Sequence, residues 1–327
     1  MFDLISVGDA TIDNFVQIHD AEVRCNLNKT ECMLCVKYGD KIAVDNFTHL
    51  VAGNAANNAI GGARLKLKSA IYVNVGSDSA GKQISDKLKQ EGVSTRYIVV
   101  NKGMESNLST VLTFQGERTI FVYHQQWEYK LPELDVSRWV YYTSVAPSFT
   151  KSNLLNELTA YLERTGANFL YNPGTYQIKE GVTKNPRLLS LTKLFIVNLE
   201  ESKRILGHKD SDDISIKKLL KGITDLGPKM VVITDGSKGS FGFDGEVFFQ
   251  LGLFPAKLVE ATGAGDAYAT GVLAGLFYGK DLKEAMRWGA ANGASVVEQI
   301  GPQAGLLTYN EMQEKLKQNS KIVAKEI

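Results

Sequence analysis

Short apolar segments of the kind that form buried strands recur along this 327-residue chain, with helical stretches between them. The first is Phe2-Asp3-Leu4-Ile5-Ser6-Val7-Gly8. Others are expected at Ala70–Val75, Val140–Thr143, Asn168–Tyr171, Leu194–Val197 and Met230–Thr234. Helices are expected between them, at Asn54–Leu65, Gly81–Gln90, Ser152–Arg164 and Leu199–Leu206. Strands that alternate with helices predict an α/β fold, a central and mostly parallel sheet with helices on both faces. Ligands of such sheets bind outside the carboxyl ends of the strands. Chemistry is therefore sought in the loops that follow them.

Two regions break the alternation. Thr11–Phe47 lacks a long helical period and carries β-rich pieces. In the second, Leu108–Phe114 turns at Gln115-Gly116-Glu117 into Arg118–Val122, which reads as a hairpin. Residues 11–47 and 106–123 are expected to pair into a small β-sheet lid over the substrate. The core then comprises 1–10, 48–105 and 124–327.

Net charge is +1 without a long basic run, which argues against nucleic acid or an anionic membrane as partner. Charged residues interrupt every apolar run short of about 20 residues, so no membrane hairpin is expected. The N-terminus has neither a basic n-region nor a long apolar stretch, and a cytoplasmic location is expected. Of the three cysteines, Cys32 and Cys35 form a C-x-x-C on a segment, Glu31–Lys37, that reads as a strand. A zinc site needs about four ligands and no second pair exists, so Cys25, Cys32 and Cys35 are expected as reduced structural thiols.

The stretch Ala261-Thr262-Gly263-Ala264-Gly265-Asp266-Ala267-Tyr268 carries the chemistry. Exposed N–H groups at a helix start attract anions, and the glycines of Gly263–Gly265 suit a phosphate. An aspartate at that point repels phosphate unless its task is to take a proton from a hydroxyl. The bland alternative is that Asp266 only favours the helix dipole, worth roughly 0.3–1 kcal/mol. Small residues downstream (Gly271, Ala274, Gly275, then Ala285, Gly289, Ala290) allow two helices to pack closely behind the loop.

This stretch resembles the C-terminal signature of the ribokinase-like, or PfkB, carbohydrate kinases, D-T-T-G-A-G-D-x-F. Glu260 and Ala261 stand where Asp and Thr are usual. Relatives hold a monovalent cation near there, so the change leaves potassium open. Val51-Ala52-Gly53-Asn54-Ala55-Ala56-Asn57-Asn58 is similar to the N-terminal signature G-G-x-x-x-N, with Ala52 in place of the first hinge glycine. The resemblance places Gly53 and Asn57 on sugar hydroxyls. Asn54 reads as a helix cap or as a third polar group aimed at ligand. In Gly8-Asp9-Ala10-Thr11-Ile12-Asp13 either aspartate could simply make a turn, and the resemblance favours Asp13 for sugar binding.

The resemblance further implies Asn198 and Glu201, an N-x-x-E after a strand, near magnesium through water. As bare sequence this pair is equally a capping box. Thr234, Gly236 and Gly239 match a T-x-G-x-x-G bordering ATP. Asn172 is implied at the cleft and Asn292 near the adenine. Gly76-Ser77-Asp78-Ser79-Ala80-Gly81-Lys82-Gln83 imitates a P-loop, but Gln83 lacks the hydroxyl for magnesium and Asp78 repels phosphate.

The expectation is an ATP- and magnesium-dependent kinase acting on a sugar hydroxymethyl, possible also as a homodimer through the lid. Asp266 is the base, and the amides of Gly263, Ala264 and Gly265 form the anion hole. A nucleoside or phosphosugar substrate stays open. The lid carries Arg24, Lys29, Lys37, Lys41 and Arg118 for a phosphate, and Phe15, Phe47, Phe114, Phe121 and Tyr123 for a base. Two other classes are a dinucleotide oxidoreductase, which lacks its G-x-G-x-x-G after the first strand, and a non-catalytic sensor, which has no need of Asp266.

Overall fold

The computed structural model describes residues 1–26, 32–115 and 117–327. Lys29, Glu31 and Gly116, named above, lie outside them. The strands are β1 (Phe2–Val7), β2 (Thr11–Ile18), β3 (Glu22–Cys25), β4 (Cys32–Cys35), β5 (Val44–Ala52), β6 (Ser69–Gly76), β7 (Ser94–Asn101) and β8 (Leu108–Phe114). They continue with β9 (Glu117–Tyr123), β10 (Ser137–Tyr142), β11 (Asn168–Tyr171), β12 (Leu194–Asn198), β13 (Met230–Thr234), β14 (Ser240–Phe243), β15 (Phe248–Leu251) and β16 (Lys325–Glu326). The α-helices are α1 (Asn54–Arg64), α2 (Ser79–Gln90), α3 (Leu154–Thr165), α4 (Thr175–Glu180), α5 (Pro186–Ser190), α6 (Leu199–Ile205), α7 (Ile216–Asp225), α8 (Ala264–Phe277), α9 (Leu282–Val296) and α10 (Tyr309–Gln318).

Ten strands form one sheet in the order β16-β15-β14-β13-β12-β11-β10-β1-β6-β7. From β13 to β7 all neighbours are parallel, and β14, β15 and β16 add an antiparallel edge. The apolar runs are buried because both faces are covered. On one face Ile5, Val7, Val140 and Phe169 pack against α3, α5 and α7. On the other, Leu4, Trp139, Leu170 and Val232 meet α8, α9 and α10. Ile71 and Val73 meet α1 and α2.

The lid is a four-stranded sheet, β5-β2-β8-β9, with β3 and β4 forming a separate hairpin. Its β8–β9 hairpin lies where the sequence placed it, and β5 runs on through Ala52, past the expected boundary at 47. The hairpin β3–β4 corrects the thiol expectation: Cys25 and Cys32 are disulfide-bonded and Cys35 is free. The register pairs Cys25 with Cys32 across the hairpin, so their side chains share a face. Residues three apart on one strand, such as Cys32 and Cys35, face opposite sides. The expectation of three reduced thiols therefore fails for Cys25 and Cys32, which the hairpin register brings together.

Lid and core join through a buried polar knot. Asp9, at the end of β1, accepts from Tyr129 Oη (2.7 Å) and Asn107 Nδ2 (3.2 Å). Asn107 Oδ1 accepts from the Gln125 amide (2.9 Å), which ties the three chain crossings together. Burial pushes the Asp9 carboxyl up to about 7. Gly53, at φ 98°, passes so close that a Cβ would lie 2.6 Å from Ala10 Cα. Among the described residues no helix is long and apolar enough to cross a membrane.

Helices α8 and α9 pack with little between their backbones, as their small residues predict. A Cβ on Gly271 would come within 2.5 Å of the Trp288 carbonyl oxygen. The substitution Gly271→Val is expected to cost about 1–3 kcal/mol through overpacking. Thermal unfolding followed by circular dichroism measures it, and an unchanged Tm would refute the close contact.

Candidate active site

The loops after β10, β11, β12 and β13 open onto one cleft of about 640 Å³. Asn54, Asn172, Asn198, Glu201, Thr234, Gly236, Gly265 and Asp266 all line it. Residues up to 212 positions apart in sequence thus share one wall, because parallel strands deliver all their carboxyl ends to the same edge.

At the centre is Asp266, in the first turn of α8 and only 6% exposed. Its Oδ1 accepts from Asn54 Nδ2 and its Oδ2 from Asn57 Nδ2, both at 2.8 Å. Burial pushes the carboxyl up to about 6, and the two amide bonds hold it below what burial alone would give. Gln303 Nε2 donates to Asn57 Oδ1 (3.0 Å) and so fixes which end of that amide faces Asp266. Asn58 lies behind, accepting from Ser6 Oγ (2.6 Å) and donating to Thr270 Oγ1 (2.9 Å).

The helix start is shaped for an anion. Gly263 is left-handed at φ 81°, and a Cβ there would strike Pro302 at 2.3 Å. At Gly265 an added Cβ would meet nothing within 4 Å, leaving room against the backbone. Among the described residues no acceptor is found for the N–H groups of Gly263, Gly265 and Asp266, whereas Ala264 N–H makes a long 3.3 Å bond to Ala261 O. Ala264 and Gly265 also line a second cavity of about 450 Å³, beside Thr234, Gly236 and Gly239. Its other walls include Leu253, Phe254, Tyr268 and Val297, an apolar slot continuous with the polar cleft. Together the two fit a nucleoside triphosphate, with a flat apolar end and an anionic end at a helix N-terminus.

Asn198 and Glu201 realise the capping box and the cleft position at once. Glu201 N–H donates to Asn198 Oδ1 (2.8 Å), and Asn198 N–H donates to Glu201 Oε2 (2.9 Å). Burial raises the Glu201 carboxyl, and the Asn198 N–H and the charge of Arg204 offset part of that rise. With Glu200 on the same wall, these hard oxygens fit a hydrated magnesium ion. Asn172 spends both ends of its amide, on Tyr141 Oη (2.9 Å) and Ile196 O (2.8 Å), so it shapes the cleft from a fixed orientation.

Asp13, on β2 of the lid, is 7% exposed, and its Oδ1 has no hydrogen-bond partner among the described residues. Burial pushes its carboxyl up to about 6, and the charges of Asp266 and Glu260 push the same way. Asp9 is the structural aspartate of the pair, fully engaged in the lid knot. Gly53 serves that same junction.

Asn292 is the correction among the site residues. It is wholly buried, donating to Ala267 O (2.8 Å) and accepting from Leu307 N–H (3.0 Å), and it braces α9 against α8. Its neighbours Gly293 and Ala294 line the apolar slot instead. The P-loop imitation is closed on itself, with Asp78 accepting from Gly81 N–H (2.9 Å) and Ser106 Oγ (2.7 Å). Sequence reasoning missed Gln303 and Tyr141, which sit in no motif, and it named Arg118 and Glu260 without pairing them.

The profile of the pfkB family of carbohydrate kinases matches residues 14–308. The chain is 25% identical to an ATP-dependent 6-phosphofructokinase of Thermoanaerobacterium thermosaccharolyticum, over 92% of this chain and 89% of that protein. It is 27% identical to a 5-dehydro-2-deoxygluconokinase of Shouchella clausii, over 95% and 94%. Its fold is similar to that of Arabidopsis thaliana ribokinase complexed with ribose and ATP (TM-score 0.79, 23% identity, 97% of this chain and 99% of that one).

The Asn57→Ala substitution removes a donor that favours the charged form of Asp266. The Asp266 pKa is expected to rise above about 6. Carbon-13 carboxyl titration measures this, and an unmoved value would show that the amide does not hold the carboxylate.

Proposed function

The chain belongs to the pfkB family of carbohydrate kinases, and from that premise we propose that it transfers the terminal phosphoryl group of ATP to a hydroxymethyl group of a sugar, with Asp266 as the base. The observation that carries this reading is the buried Asp266 carboxylate, clamped by Asn54 and Asn57 beside the open N–H groups of Gly263, Gly265 and its own residue.

Asp13 and Asn57 orient the acceptor, the open Asp13 Oδ1 taking hydroxyl hydrogens. Asp266 accepts the proton of the attacking hydroxyl as the hydroxyl oxygen bonds to the terminal phosphorus of ATP, whose bond to the bridging oxygen breaks to release ADP. With a pKa near 6 it is ionised at neutral pH, yet more basic than an exposed carboxylate. The N–H groups at the start of α8 stabilise the negative charge on the phosphoryl in transit. Thr234, Gly236 and Gly239 border the nucleotide, and the apolar slot holds its base. Asn198 and Glu201 would hold magnesium through water, and the ion would supply positive charge against the phosphates. The lid excludes water from the reacting groups.

Asp266→Asn is expected to lower kcat by about 10²–10⁴ while ATP still binds, as measured by ADP release and calorimetry. Near-parental turnover would remove Asp266 from its role. For the unmodified enzyme kcat/KM should climb as pH rises through about 6, where Asp266 loses its proton, and level off above. Asp13 ionises in the same range, so the acid limb should be steeper than one proton. A flat profile between pH 5 and 8 would contradict an ionised carboxylate base.

A further inference from the structure

The acceptor end of the site is short of positive charge. Asp13 lies within electrostatic reach of both Asp266 and Glu260. Beside it, between the lid and the loop before α8, is a cavity of about 670 Å³ with Phe15, Thr48, Thr113, Arg118 and Glu260 among its walls. Arg118 is the one lysine or arginine lining this cavity or the central cleft, among the described residues. Its charge is already matched, because Nη1 donates to Glu260 Oε1 at 3.2 Å. The same Oε1 accepts from Thr262 N–H (2.7 Å), while Oε2 is buried without a partner. At the start of α1, Ala55 N–H is taken by Asp9 O (3.3 Å) and Asn57 N–H by Gly53 O (2.9 Å). Of the other described lid cations, Arg24 pairs with Glu22 (3.1 Å) and Lys37 with Asp20 (3.6 Å), and Lys41 lines neither cavity.

Resting on the kinase reading, we propose that the acceptor is uncharged, a free sugar or the sugar of a nucleoside, and that acceptors already bearing a phosphate or carboxylate are rejected. Burial already makes both carboxylates at this end, Asp13 and Asp266, resist ionisation, and the charge of Asp266 adds to the effect at Asp13. A phosphate would bring about −1.5 to −2 more charge into the same desolvated space, where among the described residues no unmatched lysine or arginine lines the walls to meet it. Hydroxyl groups supply what is lacking, a donor for the open Asp13 Oδ1. The repulsive element is thus built into the site as well as the attractive one. The phosphates of ATP escape this penalty because they lie on the other side of Asp266, at the start of α8 and beside the magnesium-binding oxygens.

The test is ADP release from ATP and magnesium with three sets of acceptors: ribose and fructose, inosine and adenosine, then fructose 6-phosphate and gluconate. At least one uncharged compound should exceed both charged ones by about 100-fold or more in kcat/KM, and the first two sets tell sugar from nucleoside. A preference for fructose 6-phosphate or gluconate would overturn the inference while leaving the kinase reading intact. Absence of ADP release with every acceptor, from protein shown folded by circular dichroism, would overturn that reading and the inference with it. In Glu260→Gln the Arg118 charge is released, and discrimination against fructose 6-phosphate should relax by about tenfold. Unchanged discrimination would show that charge matching at Arg118 is not what excludes it.

Discussion

The contact between α1 and the first turn of α8 is the hinge of this molecule's chemistry. Two asparagine amides from the start of the chain clamp a carboxylate from near its end, 212 and 209 residues away. A buried carboxylate without donors is costly, so the clamp makes the burial tolerable. Burial in turn makes the carboxyl basic enough to take a proton. Stability and reactivity are set by the same pair of bonds. The backing layer of Asn58, Thr270 and Gln303 locks the clamp without touching the cleft.

The second constraint is close backbone approach. Gly53 lets the lid strand β5 turn into α1 against Ala10, and the Asp9–Tyr129–Asn107 knot fixes where the lid leaves the core. Arg118 adds one reversible contact from the far side of the lid to Glu260, directly ahead of the anion-binding turn. As an isolated, partly exposed pair it is worth little in stability. Its consequence is electrostatic, because it removes the cavity's one cation from use.

Much of the fold was legible from the linear chain. Continuous apolar runs such as Leu194–Val197 could only be central strands, and the Leu108–Val122 pattern could only be a hairpin around polar turn residues. The antiparallel edge β14–β16 was not legible, because its strands are short and two of them lack a distinctive period. At the site, the glycine turn at Gly263–Gly265 was legible because a helix that starts from a left-handed residue demands glycine at that point. Asn292 misled, since a buried asparagine that braces two helices and one that faces a ligand have the same local sequence. The disulfide was missed for a related reason: whether Cys25 meets Cys32 depends on the register of a hairpin.

What the sequence determined by itself was local: the alternating strands and helices of the core, the glycine turn that opens α8, and the capping box of Asn198 and Glu201. Each depends on residues within one turn or one strand, and the required backbone geometry selects them directly. Only the tertiary structure decided which polar groups meet, that Asp266 is held by Asn57 rather than left to solvent, that Asp9 is structural and Asp13 open, and that Arg118 is neutralised. Those outcomes depend on distances between segments far apart in the chain. Burial then fixes their charge states, and no local pattern encodes how deeply a side chain will lie.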